Sequence, residues 1–265
     1  MGFLLGKEAA MNRNYPMEAF ALAMIVFTLN MQEAMLTGII LLFVTVLGMI
    51  FYQILEKLLP SWSSKACTAI FILAVNITLH QIIVNWYFQY NSDTQMILLQ
   101  LMVGILVAKH VLFTEEFYYG RLLYEGALAY GGLILIGLFR EFMAFGTVFN
   151  YQLAKYGFMT ESFLNVIIGL LLSGIAIAIL NHIFDYEVQG EESLWVLIPV
   201  VLLYQPFTIE AMPALISALI VIVITVILMY SVRMYLVFSN INRNFKKLPI
   251  EILSTAIIYM VLMVF

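Results

Sequence analysis

The residues in this chain best placed to do chemistry are polar groups set inside apolar runs. Asn76, His80, Gln81 and Asn85 lie in one such run. At helical spacing Asn76 shares a face with His80, and Gln81 shares one with Asn85. Two readings stand side by side: interhelical hydrogen bonds that fix packing, or steps in a proton or ion path. Lys109 and His110 close another run. A lysine stem there reaches for the lipid headgroups, while an imidazole is able to titrate near neutral pH. Glu33, the pair Glu115 and Glu116, and Glu210 each follow a short apolar run. Gathered by symmetry and partly dehydrated, such carboxylates would bind a sodium ion or carry a proton, because hard cations prefer oxygen ligands. The plainer reading is acidic caps on solvated turns. The ion-path candidates are therefore Glu33, His80, Lys109, His110, Glu115 and Glu210, and no catalytic or metal-ligating set is expected.

The elements that carry these residues follow from composition. Of 265 residues, 64% are hydrophobic and 11% charged, and the mean hydropathy is +1.02. A water-soluble domain of this size needs far more Lys, Glu, Asp and Arg to cover its surface, so the solvent is mostly lipid. A formal charge of −4 with scattered Lys and Arg offers no basic face for phosphates, which excludes nucleic-acid binding. The one cysteine, Cys67, forms neither an internal disulfide nor a cluster by itself. Met1–Arg13 is a short mixed stretch with no small-residue cleavage site after it, so a removable signal peptide is not expected. Walker-type, dinucleotide-binding and His-Glu-x-x-His spacings are missing.

In lipid every peptide group must be bonded within the chain, and about 20 apolar residues cross the hydrocarbon as a helix. The runs predict nine transmembrane helices, an all-α integral membrane fold: Met17–Met31, Met35–Leu58, Ala66–Tyr90, Met96–Phe113, Leu122–Phe139, Phe163–Phe184, Leu194–Ile209, Ala214–Phe238 and Ile250–Phe265. Nine passes alternate the loops between two sides. Lys7, Arg13, Lys57, Lys65, Lys109, Arg121, Arg233, Arg243, Lys246 and Lys247 then share the N-terminal side, leaving only Arg140 and Lys155 on the other. That asymmetry predicts a cytoplasmic N-terminus. The acidic loop Asp185, Glu187, Glu191 and Glu192 falls on the same side, as a solvated linker or a docking patch for a basic partner.

The order short, long, long recurs three times, over residues 1–92, 93–190 and 191–265. Glu56-Lys57-Leu58-Leu59-Pro60 enters the third helix much as Lys246-Lys247-Leu248-Pro249 enters the ninth, and Arg140–Phe145 is matched by Arg233–Phe238. Units with an odd number of passes alternate in orientation, an arrangement that in transporters places a site at the midplane.

The stretch Gly137–Phe149, with Arg140, Glu141, Gly146 and Thr147, resembles the Arg-Glu-x-x-x-x-Gly-Thr-Leu-Phe segment of the six-helix membrane subunits of the Rnf and sodium-pumping NADH:quinone oxidoreductase complexes. Leu41–Tyr90, with its Leu-Pro break and Phe71-Ile72-Leu73, is similar to their second and third helices. Leu194–Pro199 and Val232–Phe265, including the Pro249–Ala256 run, resemble the second half of a sister subunit.

The resemblance implies inverted three-helix repeats with short helices broken at the midplane, and an additional three-helix half-subunit after residue 184. In the family those breaks carry cysteines that pool four thiolates around a [2Fe-2S] cluster. Here the matching places fall near Met24–Val26, Leu112–Thr114 and Gln205, and none is Cys. Thiolate or imidazole is what iron requires, so no cluster is expected on this chain alone. Iron-sulfur and flavin groups are expected on partner subunits, since no flavin-attachment motif is present. The implied function is a non-catalytic subunit of a redox-driven ion translocase. The alternative is a small-solute or ion transporter, or a structural membrane subunit, on the same scaffold.

Overall fold

The computed structural model describes residues 13–83, 94–114, 116–149, 151–154, 156–157, 159–186, 190–204, 214–235 and 249–262. Among them are nine α-helices: α1 Met17–Val26, α2 Met31–Glu56, α3 Ser61–Ile83, α4 Thr94–Phe113, α5 Tyr119–Phe145, α6 Val166–Phe184, α7 Gly190–Tyr204, α8 Ala214–Tyr235 and α9 Ile250–Leu262. One antiparallel hairpin, β1 Thr147–Val148 with β2 Tyr151–Gln152, follows α5.

Five helices, α2 to α6, are long and apolar enough to cross a membrane, and the chain is a multi-pass membrane protein. Their outward faces confirm which solvent they meet. On α2 the exposed residues include Ile39, Phe43, Ile50 and Ile54, and on α6 they include Ile175, Ile179 and Ile183. Both sets recur at helical spacing, so an apolar stripe faces out while Thr37, Thr45, Ser173 and Asn181 face in.

The contacts run α1 to α7 alternately up and down between two ends. At one end Lys109 of α4 meets Glu18 of α1, Tyr119 of α5 meets Gln53 of α2, and Arg13 meets Glu192 of α7. At the other end Arg140 of α5 reaches Ile25 of α1, and Gln95 of α4 donates to the Leu203 carbonyl of α7. The first, basic end also holds the turn at Lys57 and the opening turn of α3 at Lys65.

Helix ends differ from the apolar runs in ways that matter to the site. α1 stops at Val26, five residues before its run does, and all ten of its residues are buried. A helix apolar on every side belongs inside a core. α2 starts at Met31 because Asn30 caps it, its Oδ1 accepting from the Glu33 amide at 2.7 Å. α5 continues past Phe139 through Arg140 and Glu141 to Phe145. It closes at Gly146, whose φ of 69° is the left-handed conformation that a helix C′ position asks of glycine. The expected short fourth helix is a full 20 residues, whereas α9 is described over only 13. The short, long, long order is clear in the first unit; in the second, α4 at 20 residues is as long as α6 at 19.

Candidate functional site

A break between α1 and α2 sits inside the protein, and two adjacent residues of α5 hold its two sides. Ending a helix inside the protein exposes carbonyls on one side and amides on the other, with opposite partial charges. Arg140 serves the carbonyl side and is fully buried. Its Nη1 donates to Ile25 O and to Thr28 Oγ1, both at 2.8 Å. Nη2 donates to Leu164 O at 2.8 Å and Asn165 O at 3.2 Å, and Nε to Phe163 O at 3.1 Å. Thr28 in turn donates to the Met24 carbonyl. Glu141 serves the amide side: its Oε2 accepts from Met31 N at 2.7 Å, while Oε1 accepts from Thr147 Oγ1 at 3.4 Å. Each charge meets the helix end whose dipole it complements.

A second cluster gathers at the basic end, around the entry to α1. Lys109 Nζ pairs with Glu18 Oε1 at 2.5 Å and lies 4.8 Å from the Trp195 ring centroid. His110 Nε2 donates to Asn14 O at 3.1 Å, which leaves Nδ1 as the acceptor nitrogen of the neutral ring. Asn14 N donates to Glu125 Oε2 at 3.3 Å. Glu125 Oε1 accepts from Arg121 Nε and from the Tyr186 hydroxyl, each at 2.7 Å. Burial, then the Glu125 carboxylate, push the Tyr186 phenol up to about 12. Burial also raises the Tyr15 phenol, whose hydroxyl has no hydrogen-bond partner. A cavity of about 140 Å³ opens here, lined by Arg13, Tyr15, Glu18, Lys109, His110 and Glu192 among others.

A third polar group lies between α3 and α4. Asn76 Nδ2 donates to Gln100 O at 2.7 Å and to Gln100 Oε1 at 3.3 Å. Gln100 therefore turns its Nε2 toward His80 Nδ1, 2.9 Å away, and donates to it. A neutral His80 then carries its proton on Nε2, and the Phe27 ring stands edge-on at 5.9 Å between centroids. This directional chain joins two helices, as packing bonds in membranes do.

The structure thus distributes the sequence candidates. Lys109 and His110 fall in one cluster. His80 belongs to the α3–α4 chain. Glu33 opens α2 beside the break. Glu116 is exposed and bonded to Tyr118, beside the α2 end at Tyr52 and Glu56. Glu33 and Glu56 are 23 residues apart on α2, about 35 Å of helix, so Glu33 and Glu116 are not brought together. Glu115, Glu210 and Asn85 lie outside the described residues.

Sequence reasoning missed Arg140, Glu141, Glu18 and Glu125 as site residues. The signal was available for Glu18 and Glu125, since an ionisable residue inside an apolar run marks a site by default, whereas Arg140 and Glu141 lie just beyond the run that ends at Phe139.

The residues at the break do not fit an iron-sulfur cluster. Met24, Ile25 and Val26 are buried among apolar neighbours and offer neither thiolate nor imidazole. Leu112–Thr114 has no such group either, Gln205 lies outside the described residues, and Cys67 is exposed on α3. Among the described residues no three His, Cys, Asp or Glu are grouped to hold a metal ion.

Compared with known protein families, curated proteins and solved structures, the chain matches none of them.

Proposed function

We propose that this chain is a non-catalytic membrane subunit of a redox-driven ion translocase of the Rnf and sodium-pumping NADH:quinone oxidoreductase type. It is built as three alternately inverted three-helix units, with its basic end in the cytoplasm of a bacterial or archaeal cell. The single observation that carries the reading is the role of Arg140 and Glu141. The segment on which the resemblance rests is also the one that fixes a wholly buried half-helix at its break. Broken helices at the contact between inverted units recur in ion-handling membrane proteins. In this reading the chain works by assembly, and Arg140 and Glu141 use the break to fix how the units pack rather than to bind the ion. Sister subunits carry the iron-sulfur and flavin groups, and Glu18, Lys109 and His110 line an approach to α1 at the cytoplasmic end.

One observation favours a second reading, a small-solute or ion transporter on the same scaffold. The break holds Met24, Ile25 and Val26 where electron transfer would ask for a thiolate. Isolation of the intact native assembly with metal and flavin analysis separates the two. The redox reading expects iron and flavin in co-purifying subunits, and their absence would overturn it. The transporter reading expects gradient-driven flux into vesicles containing this chain alone.

A further inference from the structure

The end of α1 presents an unusual set of partners to a buried cation. The five acceptors of Arg140 are the carbonyls of Ile25, Phe163, Leu164 and Asn165 and the hydroxyl of Thr28. None of these five is a carboxylate. They come from two places, the last turn and break of α1 and the turn leading into α6, which converge on one point. A ring of neutral oxygens at the carbonyl end of a discontinuous helix is the kind of environment in which membrane proteins bind sodium ions or protons.

We propose that this ring is a cation-binding site, and that Arg140 fills it as the chain's own tethered cation. The five acceptors match the five N–H donors that a guanidinium presents. Because that group stays charged in proteins and is bonded to α5, the ring remains occupied. A mobile ion cannot enter it. The break is therefore closed as an ion route. Gly169 on α6 shows how closely the ring is drawn in. A Cβ there would come within 2.7 Å of Ile25 O and 3.1 Å of Arg140 Nη1. The inference rests on this geometry alone and does not need the redox reading.

The test removes the tethered cation and offers free ones. The whole chain, purified in detergent as wild type, Arg140→Ala and Arg140→Lys, is melted in guanidinium, sodium, potassium or choline chloride at matched ionic strength. Guanidinium is kept far below denaturing concentrations. The wild type is expected to be indifferent to the cation. Arg140→Ala is expected to melt several degrees lower and to recover most of that loss, saturably, with guanidinium or sodium but not with choline. Arg140→Lys keeps one ammonium with three donors and is expected to show a smaller version of both effects. Equal recovery with choline overturns the proposal. So does an Arg140→Ala protein as stable as wild type without added cation. If Arg140→Ala is not recovered folded, Arg140→Lys decides. Failure of Arg140→Lys to respond, or failure to recover either variant in any of these salts, also overturns it.

Discussion

Glu141 accepts the backbone amide of Met31 at 2.7 Å across 110 residues of chain, while its neighbour Arg140 holds the carbonyl of Ile25 at 2.8 Å. Two consecutive residues of α5 thereby set the distance between the end of α1 and the start of α2. Helix α1 has only ten residues and every one is buried, so its depth in the protein depends on that grip.

Removing the grip on the amide side has a graded cost. Glu141→Leu leaves the Met31 amide buried without its charged acceptor and is expected to cost about 2 to 3 kcal/mol. Glu141→Gln keeps an oxygen at the same place and is expected to lose less than half as much. Reversible unfolding of the detergent-solubilised protein measures both, and equal losses for the two would show that the amide contact is not what Glu141 contributes.

The alkaline limb of stability is expected to report Tyr186. Its phenol is pushed up to about 12 by burial and by Glu125, against an ordinary value near 10. A raised pKa means that the folded chain holds its proton where the unfolded chain has lost it. The contribution is complete below pH 10 and is lost as pH rises from 10 to about 12. Tyr186→Phe removes that titration, so its melting temperature should fall less steeply across this window than that of the wild type. An unchanged slope would place the alkaline sensitivity elsewhere.

The Asn76, Gln100 and His80 chain is expected to act as packing. Interhelical hydrogen bonds in membranes average about 0.6 kcal/mol and reach about 1.7. Gln100→Leu abolishes the contact to His80 and one of the two from Asn76, and is expected to cost about 1 to 2 kcal/mol. His80→Phe should cost a similar amount, and Gln100→Leu with His80→Phe together less than their sum, since the two share one bond. Additive losses would show that the two residues act separately.

Much of this architecture was legible in the chain. Each of the nine apolar runs overlaps one described helix, because in lipid an apolar run has no other way to bond its backbone. What the runs could not show was where helices stop for reasons other than polarity. Phe27, Thr28 and Leu29 are greasy enough to continue α1. The helix ends there, where Arg140 takes the Ile25 carbonyl and Asn30 caps the start of α2. The converse happened at Phe139, where charge suggested a helix end. The helix continues because Arg140 and Glu141 find their partners in the protein rather than in water. Lys109 and His110 were visible as candidates, but their partnership with Glu18, Asn14 and Glu125 was not, since these residues come together only when α1, α4 and α5 are packed.

The most direct test of the alternating architecture is the sidedness of its turns. In a Cys67→Ser background, single cysteines at Lys57 and Tyr118 report the basic end, and single cysteines at Tyr151 and Gly157 report the other. Labelling with a membrane-impermeant maleimide, before and after the membrane is opened, should place the first pair on one side and the second pair on the opposite side. Finding all four on one side would contradict the account, because α5 would then not carry Arg140 and Glu141 across the bilayer to the break they are placed to hold.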